Sequence, residues 1–362
     1  MSEPLHRATA EIVIVGAGPI GLELAVVLKH LGADYLHLDA GQVGETVCRY
    51  PPDTTFFSSP DRIAIAGVPL RPPAQGKATR EQYLNYLHAV VDQFDLAVRS
   101  FEAVEKVVRV GDHFLLTTAL GEVTAKRVVL AIGDMHRPRM LEIPGEDRAH
   151  VSHYFGEAQR HFRRKLLIVG GKNSAVEAAL RCQRAGAEVA ISYRGAAFDG
   201  EAIKYWLLPE IKALIEHDAI GFFPETVPVR IDERSVTLAD AESDAESDAE
   251  SDADGGGNER TVDADAVLLL TGYTQDKSLF ESAGVHLEGR NRGPVYDPDT
   301  MMTNVPGLFV AGTGAAGTQN DFKLFIENSH PHVAKIVRAL TGCDAPAGLI
   351  NNAAQTYGLA ES

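Results

Sequence analysis

Two stretches of this chain share one layout, and that repetition limits the fold more than any other feature. Glu11-Ile-Val-Ile-Val-Gly16-Ala-Gly18-Pro19-Ile20-Gly21 leads into a helical stretch that reaches Leu31, stops at Gly32 and is followed by Tyr35–Asp39. Lys165-Leu-Leu-Ile-Val-Gly170-Gly171-Lys172-Asn173-Ser174-Ala175 leads into another, which reaches Ala185, stops at Gly186 and is followed by Glu188–Tyr193. A continuous apolar run predicts a strand covered on both faces. A glycine after the helix supplies the left-handed residue that ends it. Each stretch therefore reads as a βαβ unit. Three more apolar runs end in glycine, Val128–Gly133, Val267–Gly272 and Leu308–Gly312, and read as parallel strands whose C-terminal ends open onto a crevice. Alternating residues at Ala103–Val110, His113–Thr118 and Glu122–Ala125 predict a small antiparallel meander. Val227–Ile231, Ser235–Leu238 and a return strand from Arg260 predict another.

The fold class that follows is α/β, with two Rossmann-like domains, the second inserted in the first. The first is expected at residues 1–155 and 294–362, the second at 156–293. A length of 362 residues and an apolar fraction of 45% suit two packed domains. Half of the net charge of −16 lies in eight carboxylates between Asp240 and Asp254, where an Ala-Glu-Ser-Asp repeat sits at a hairpin tip. That segment, 240–258, has no means of burying a core and is expected to be disordered. An acidic body argues against nucleic acid or an anionic membrane as partner. Three separated cysteines, Cys48, Cys182 and Cys343, exclude a disulfide scaffold, a CxxC pair and a four-cysteine zinc site. They fit a reducing compartment, and with a short polar start they point to the cytoplasm.

The glycines carry the chemistry. In Gly16-Ala-Gly18-Pro19-Ile20-Gly21 the first glycine permits the turn, the second lets the backbone approach a pyrophosphate, and the third lets helix and strand touch. The diphosphate of an adenine dinucleotide would then lie at the helix N-terminus. Asp39, at the end of the next strand, is placed for ribose hydroxyls. FAD is favoured here, because a chain with two such units places its flavin in the first and completes the site with a distant segment such as Leu308–Gly317. In the second unit Lys172 replaces the middle glycine, and the second strand ends in Tyr193-Arg194-Gly195 without a carboxylate. Arg194 can pair bidentately with a 2′-phosphate that a carboxylate would repel, which favours NADPH over NADH. Lys204 is a candidate second phosphate contact.

With both sites placed, the chain resembles the low-molecular-weight thioredoxin reductase superfamily and, within it, the bacillithiol-disulfide reductase family. The likeness is carried by Tyr50-Pro51 through Phe56–Ser59, Ile143–Asp147 with His150–Phe155, Gly170–Ala179, Tyr193–Gly195, Ile203–Glu210, Thr271–Tyr273, and Ala311-Gly312 with Phe325–Asn328. The resemblance implies a homo-oligomeric FAD enzyme that takes hydride from NADPH and reduces a low-molecular-weight disulfide or a small redox protein. It places the Phe56–Ser59 and Glu327–His332 regions beside the flavin. It adds Ala40, Tyr50, Phe57, Ala131 and Gly133 to the flavin site, together with Gly312, Thr313 and Phe325. Gly272 and Tyr273 join Gly170, Gly171, Lys172, Asn173 and Ser174 at the nicotinamide coenzyme.

One departure bears on the acceptor. Family members with disulfide activity carry a cysteine in the first glycine loop, Gly-Pro-Cys-Gly, where this chain has Ile20, and isoleucine supplies no thiolate. Cys48, just before Tyr50-Pro51, is the one candidate for a catalytic thiol. Electron transfer to ferredoxin or flavodoxin is the alternative outlet, and a flavin-bound redox sensor or a flavin monooxygenase-like protein are further alternatives. His150 and Tyr154 after Gly145 have nearly the monooxygenase spacing, although a domain-joining linker explains them better. His330-Pro-His332 is either a proton donor or a helix-end feature.

Overall fold

The computed structural model describes residues 6–73, 76–241, 259–319 and 324–352. Of the acidic segment expected to be disordered, 242–258 lies outside the described residues. The chain divides into two compact units, Met1–Arg137 with Tyr273–Ser362, and Pro138–Gly272. The second unit is inserted in the first, with ends at Pro138 and Gly272 beside the 156 and 293 of the sequence expectation. Pro144 and Arg148 bond to Ile231, and Val151–Ser152 pairs with the strand Ala266–Leu269, so residues 138–155 belong to the second unit. After Gly272 the chain returns to the first unit, where Phe280 is fully buried in its core.

The first unit is built on the parallel strands Val98–Arg99, Tyr35–Leu38, His6–Val15 and Gly121–Leu130, in that order. Gly121–Leu130 changes partner along its length. Its first half pairs with the meander strand His113–Thr118, and Val128–Leu130 pairs in parallel with Leu308–Val310. One ten-residue strand thus does what the sequence suggests as two. Val13, Ile14, Val128, Val129, Leu308 and Val310 are buried, as a sheet covered on both faces requires. Helix Pro19–His30 packs on this sheet and against the last helix, Ile326–Thr341. No helix follows Leu308–Val310 directly. A single 3₁₀ turn, Gly312–Ala316, comes first, so it is this turn and not a helix N-terminus that stands at the strand end.

The second unit repeats the plan with parallel strands in the order Gly221–Pro224, Glu188–Tyr193, Lys165–Val169, Ala266–Leu269 and Val151–Ser152. Helix Asn173–Arg184 covers one face, and a three-stranded antiparallel sheet, Thr226–Ile231, Ser235–Asp240 and Arg260–Asp263, covers the other through Ile231, Val236 and Leu238. Among the described residues no helix is long and apolar enough to cross a membrane.

Candidate active site

In the first unit two of the three loop glycines are steric necessities. A Cβ on Gly16, at φ +111, would stand 2.3 Å from the Ala131 carbonyl oxygen, and one on Gly21 would stand 2.0 Å from that of Gly16. Gly18 differs, since a Cβ there would meet nothing within 4 Å. Its backbone faces open space at the start of helix Pro19–His30. That helix has no side-chain cap and no acidic residue in its first turn. Free N–H groups and the positive end of the helix dipole are therefore left for an anion.

Asp39 stands beside this end, its carboxylate accepting the N–H of Ala17 (2.5 Å) and of Gly41 (2.7 Å). Burial raises its pKa, and the two N–H bonds oppose that rise. Each oxygen keeps a lone pair for a ribose hydroxyl. His37 was not evident from sequence. It is buried, donates from Nε2 to the Gly16 carbonyl (2.9 Å), and is held neutral by burial, its pKa lowered to about 4.

The far wall comes from two strand ends. Ala131 donates to Val15, and Ala311 donates to Leu130, so the loops Ala131–Gly133 and Gly312–Ala316 lie beside the glycine loop. Gly312 packs on Ile20: a Cβ added to Gly312 would stand 3.5 Å from Ile20 Cβ, and Ile20 is 5% exposed. Gly133 faces the Thr313 hydroxyl. The Phe56–Ser59 and Glu327–His332 regions touch each other through the Ser58–Glu327 hydrogen bond, and nearby the Arg62 carbonyl accepts from His330 (2.9 Å). Tyr50 is packed 6.1 Å from Phe56, and Lys77 sits on the Phe57 ring at 4.6 Å. Phe325 is partly exposed at the start of the last helix, and Ala40 is exposed beyond Asp39.

A buried acid–base pair locks these elements. Glu23 is fully buried and accepts the N–H groups of Ala66 (3.1 Å) and Asn351 (3.0 Å), while its second oxygen meets His330 Nδ1 at 2.7 Å. Burial lowers the His330 pKa, but the Glu23 carboxylate and the Arg62 carbonyl outweigh it, and the net direction is upward. The signal in the sequence was a lone carboxylate inside the apolar run Leu22–Leu28. His332, two residues on, accepts the Gly312 N–H at Nδ1 (3.2 Å) and is kept neutral, its pKa lowered to about 4 by burial and by Lys335 and His330.

In the second unit Gly170, at φ +140, would drive a Cβ to within 2.5 Å of the Leu270 carbonyl oxygen. Gly171 and Gly195 have a common cause in Tyr193. Its ring would lie 2.2 Å from a Cβ on Gly171 and 2.8 Å from one on Gly195. The Gly-Gly and Tyr-Arg-Gly motifs are thus one steric unit, backed by Phe198 stacked at 5.7 Å. Helix Asn173–Arg184 begins after Lys172 with neither a side-chain cap nor an acid in its first turn. Arg194 is exposed at the end of its strand and makes no ion pair among the described residues.

Lys204 and Tyr273, both expected at the coenzyme, have protein partners of their own. Lys204 is buried, its ammonium 3.2 Å from Glu177 and its N–H on the Asn173 side chain (2.6 Å), so its charge is already met. Tyr273 belongs to the first unit, where it lies near Tyr50, while Gly272 closes the second. Of the thiols, Cys182 is buried with its pKa pushed up to about 12, and Cys343 is exposed near the C-terminus. Cys48 is half-buried at the end of the short helix Glu45–Cys48.

The open, uncapped helix ends and the glycine cradles fit two dinucleotides. Comparison with known proteins agrees. The family model described as pyridine nucleotide-disulphide oxidoreductase matches residues 13–312. Bacilliredoxin reductase Bdr of Bacillus subtilis is 34% identical over 321 residues, 88% of this chain and 94% of that protein. The solved structure of bacillithiol disulfide reductase Bdr (YpdA) from Staphylococcus aureus superposes with a TM-score of 0.84 at 33% identity, covering 92% of this chain and 99% of that one. A ferredoxin–NADP reductase of Ignicoccus hospitalis is 28% identical over 309 residues, 83% of this chain and 89% of that protein. The chain belongs to the pyridine nucleotide-disulphide oxidoreductase family, as an enzyme that uses FAD and NADPH.

Proposed function

We propose that this chain is an NADPH-driven flavoprotein reductase whose acceptor is a low-molecular-weight disulfide, of the kind that the name of the Staphylococcus aureus reductase specifies, and that no thiol in the glycine loop relays the electrons. The observation that carries the second half is Ile20, buried against Gly312 at the loop position where the resemblance to the bacillithiol-disulfide reductases implies a cysteine. When bound, NADPH supplies a hydride, and FAD holds the two electrons for the acceptor.

The protein's part is placement. Gly16, Gly18 and Gly21 bring backbone to the flavin diphosphate, with the N–H groups after Pro19 and Ile20 turned toward it. Asp39 holds the ribose. Ala131, Gly133, Gly312 and Thr313 form the opposite wall, and Tyr50, Phe57 and Phe325 border the ring system. In the coenzyme unit the helix end at Lys172, Asn173 and Ser174 takes the diphosphate, with Tyr193 as a rigid floor. Arg194 takes the 2′-phosphate without help from Lys204.

The lack of a thiol at position 20 favours a second reading, transfer to a ferredoxin, as the relative from Ignicoccus is named. One experiment separates the two. Anaerobic protein reduced with NADPH is mixed with bacillithiol disulfide or with ferredoxin, using wild type and a variant with Cys48, Cys182 and Cys343 all replaced by serine. The proposal expects the disulfide to reoxidise the flavin, with turnover by the cysteine-free variant within about two-fold of wild type. Reoxidation by ferredoxin alone would establish the second reading. Loss of disulfide turnover in the Cys48→Ser single variant would restore a protein thiol to the pathway.

A further inference from the structure

Past Gly133, at the end of Gly121–Leu130, stands Asp134, a carboxylate that the glycine motifs do not explain. It is buried, at 7% exposure. Its Oδ2 accepts the Gln319 amide at 2.8 Å, and the Thr313 hydroxyl donates to it as well. Gln319 is held in turn by both backbone groups of Leu324, at 3.0 and 2.9 Å. From the other flank Gln275 clamps the same two loops, its amide donating to the carbonyls of Gly133 (2.9 Å) and Gly314 (2.8 Å).

Asp134 therefore cannot swing away. It is held three residues beyond Ala131, whose carbonyl lies against Gly16, and beside the turn that touches Ile20. Among the described residues, the groups that face it are neutral. Thr313, Gln319 and Gln275 do not titrate, and burial together with Asp134 and Tyr273 raises the Tyr50 phenol far above its ordinary range. His136, two residues on, is turned to Asp276 at 3.4 Å.

A hydrogen-bonded knot of this shape would be served equally by an asparagine, whose oxygen accepts from the same donors. A carboxylate adds charge, and among the described residues no cation is paired with it. Burial already lifts its proton affinity, and three donated hydrogen bonds, from Thr313, Gln319 and its own backbone N–H, oppose the lift, so the group is poised to respond to a nearby negative charge. Hydride arrival brings one negative charge into the crevice.

We propose that Asp134 is a proton-coupled positioning residue of the flavin crevice, taking one proton from solvent as its carboxylate becomes a carboxylic acid when the hydride arrives, and releasing it when the acceptor removes the electron pair. The balance is simple. Two electrons and one proton come as hydride from the coenzyme, one further proton comes from water, and a disulfide leaves as two thiols carrying both protons. The inference rests on the flavin reading above.

The test is anaerobic potentiometry of flavin-loaded protein over a pH series, read as protons taken up per two electrons. Wild type is expected to take up one proton more than Asp134→Asn across the near-neutral range, and Asp134→Glu is expected to restore it. Equal counts in wild type and a flavin-loaded Asp134→Asn protein would overturn this inference alone. Should the Asn variant lose flavin, Thr313→Val and Gln319→Leu remove the opposing side-chain donors, and each should move the extra uptake to higher pH. No movement in either would also overturn it. A wild-type protein that binds no flavin would overturn the flavin reading itself.

Discussion

At the residue scale, the proposed function rests coenzyme choice on one side chain, Arg194. Lys204 is tied to Glu177, and Arg194 is exposed with no ion pair among the described residues, so on the proposed reading a 2′-phosphate meets a single guanidinium. A charge-assisted pair contributes roughly 1.5–3 kcal/mol, which corresponds to about ten- to a hundred-fold in affinity. Arg194→Ala should raise KM for NADPH by about that factor and leave KM for NADH nearly unchanged. Steady-state measurement with both coenzymes checks it, and an equal loss for the two would remove Arg194 from the phosphate. Lys204→Ala should act mainly on stability, because it leaves Glu177 without its partner.

At the element scale, the last helix, Ile326–Thr341, fastens the flavin unit through two histidines of opposite behaviour. His332 is buried neutral with a pKa lowered to about 4, so its contribution is complete above its ordinary value of 6.5 and is lost as pH falls toward 4. The difference is worth about 3 kcal/mol, and protonation of Nδ1 would also release the Gly312 N–H. His330 runs the other way. Its folded pKa is raised, so its contribution is complete below the ordinary value and is lost as pH rises through the folded one. Stability should fall on both sides of an optimum at or above pH 6.5. His332→Gln should flatten the acid limb of Tm against pH in part, since His37, with its pKa also near 4, and His136 and His161, both lowered by burial, share that limb. Glu23→Gln should remove the alkaline limb. An acid limb unchanged in His332→Gln would contradict this assignment.

For the molecule as a whole, the legible part of the sequence was whatever is fixed locally. Glycine spacing gave both βαβ units, because φ values and Cβ clashes at Gly16, Gly21 and Gly170 are set by immediate neighbours and one opposing strand. The meanders were legible through alternation. What stayed hidden depends on partners far away in the chain. Glu23 meets His330 across 307 positions, and Asp134 meets Gln319 across 185. The second unit begins at Pro138 because Gly145 and Arg148 pack on Ile231, a contact that no local pattern announces. The 3₁₀ turn after Val310 was masked by its run of small residues, which suit a helix start equally well.

The central claim is that two dinucleotide crevices in one chain form a single reductive half-reaction. Anaerobic titration of flavin-loaded protein with NADPH measures it directly. One equivalent of NADPH per bound flavin should bleach the flavin absorbance in full, with NADH needing a large excess to do the same at equal speed. A flavin that stays oxidised in the presence of excess NADPH would contradict the account.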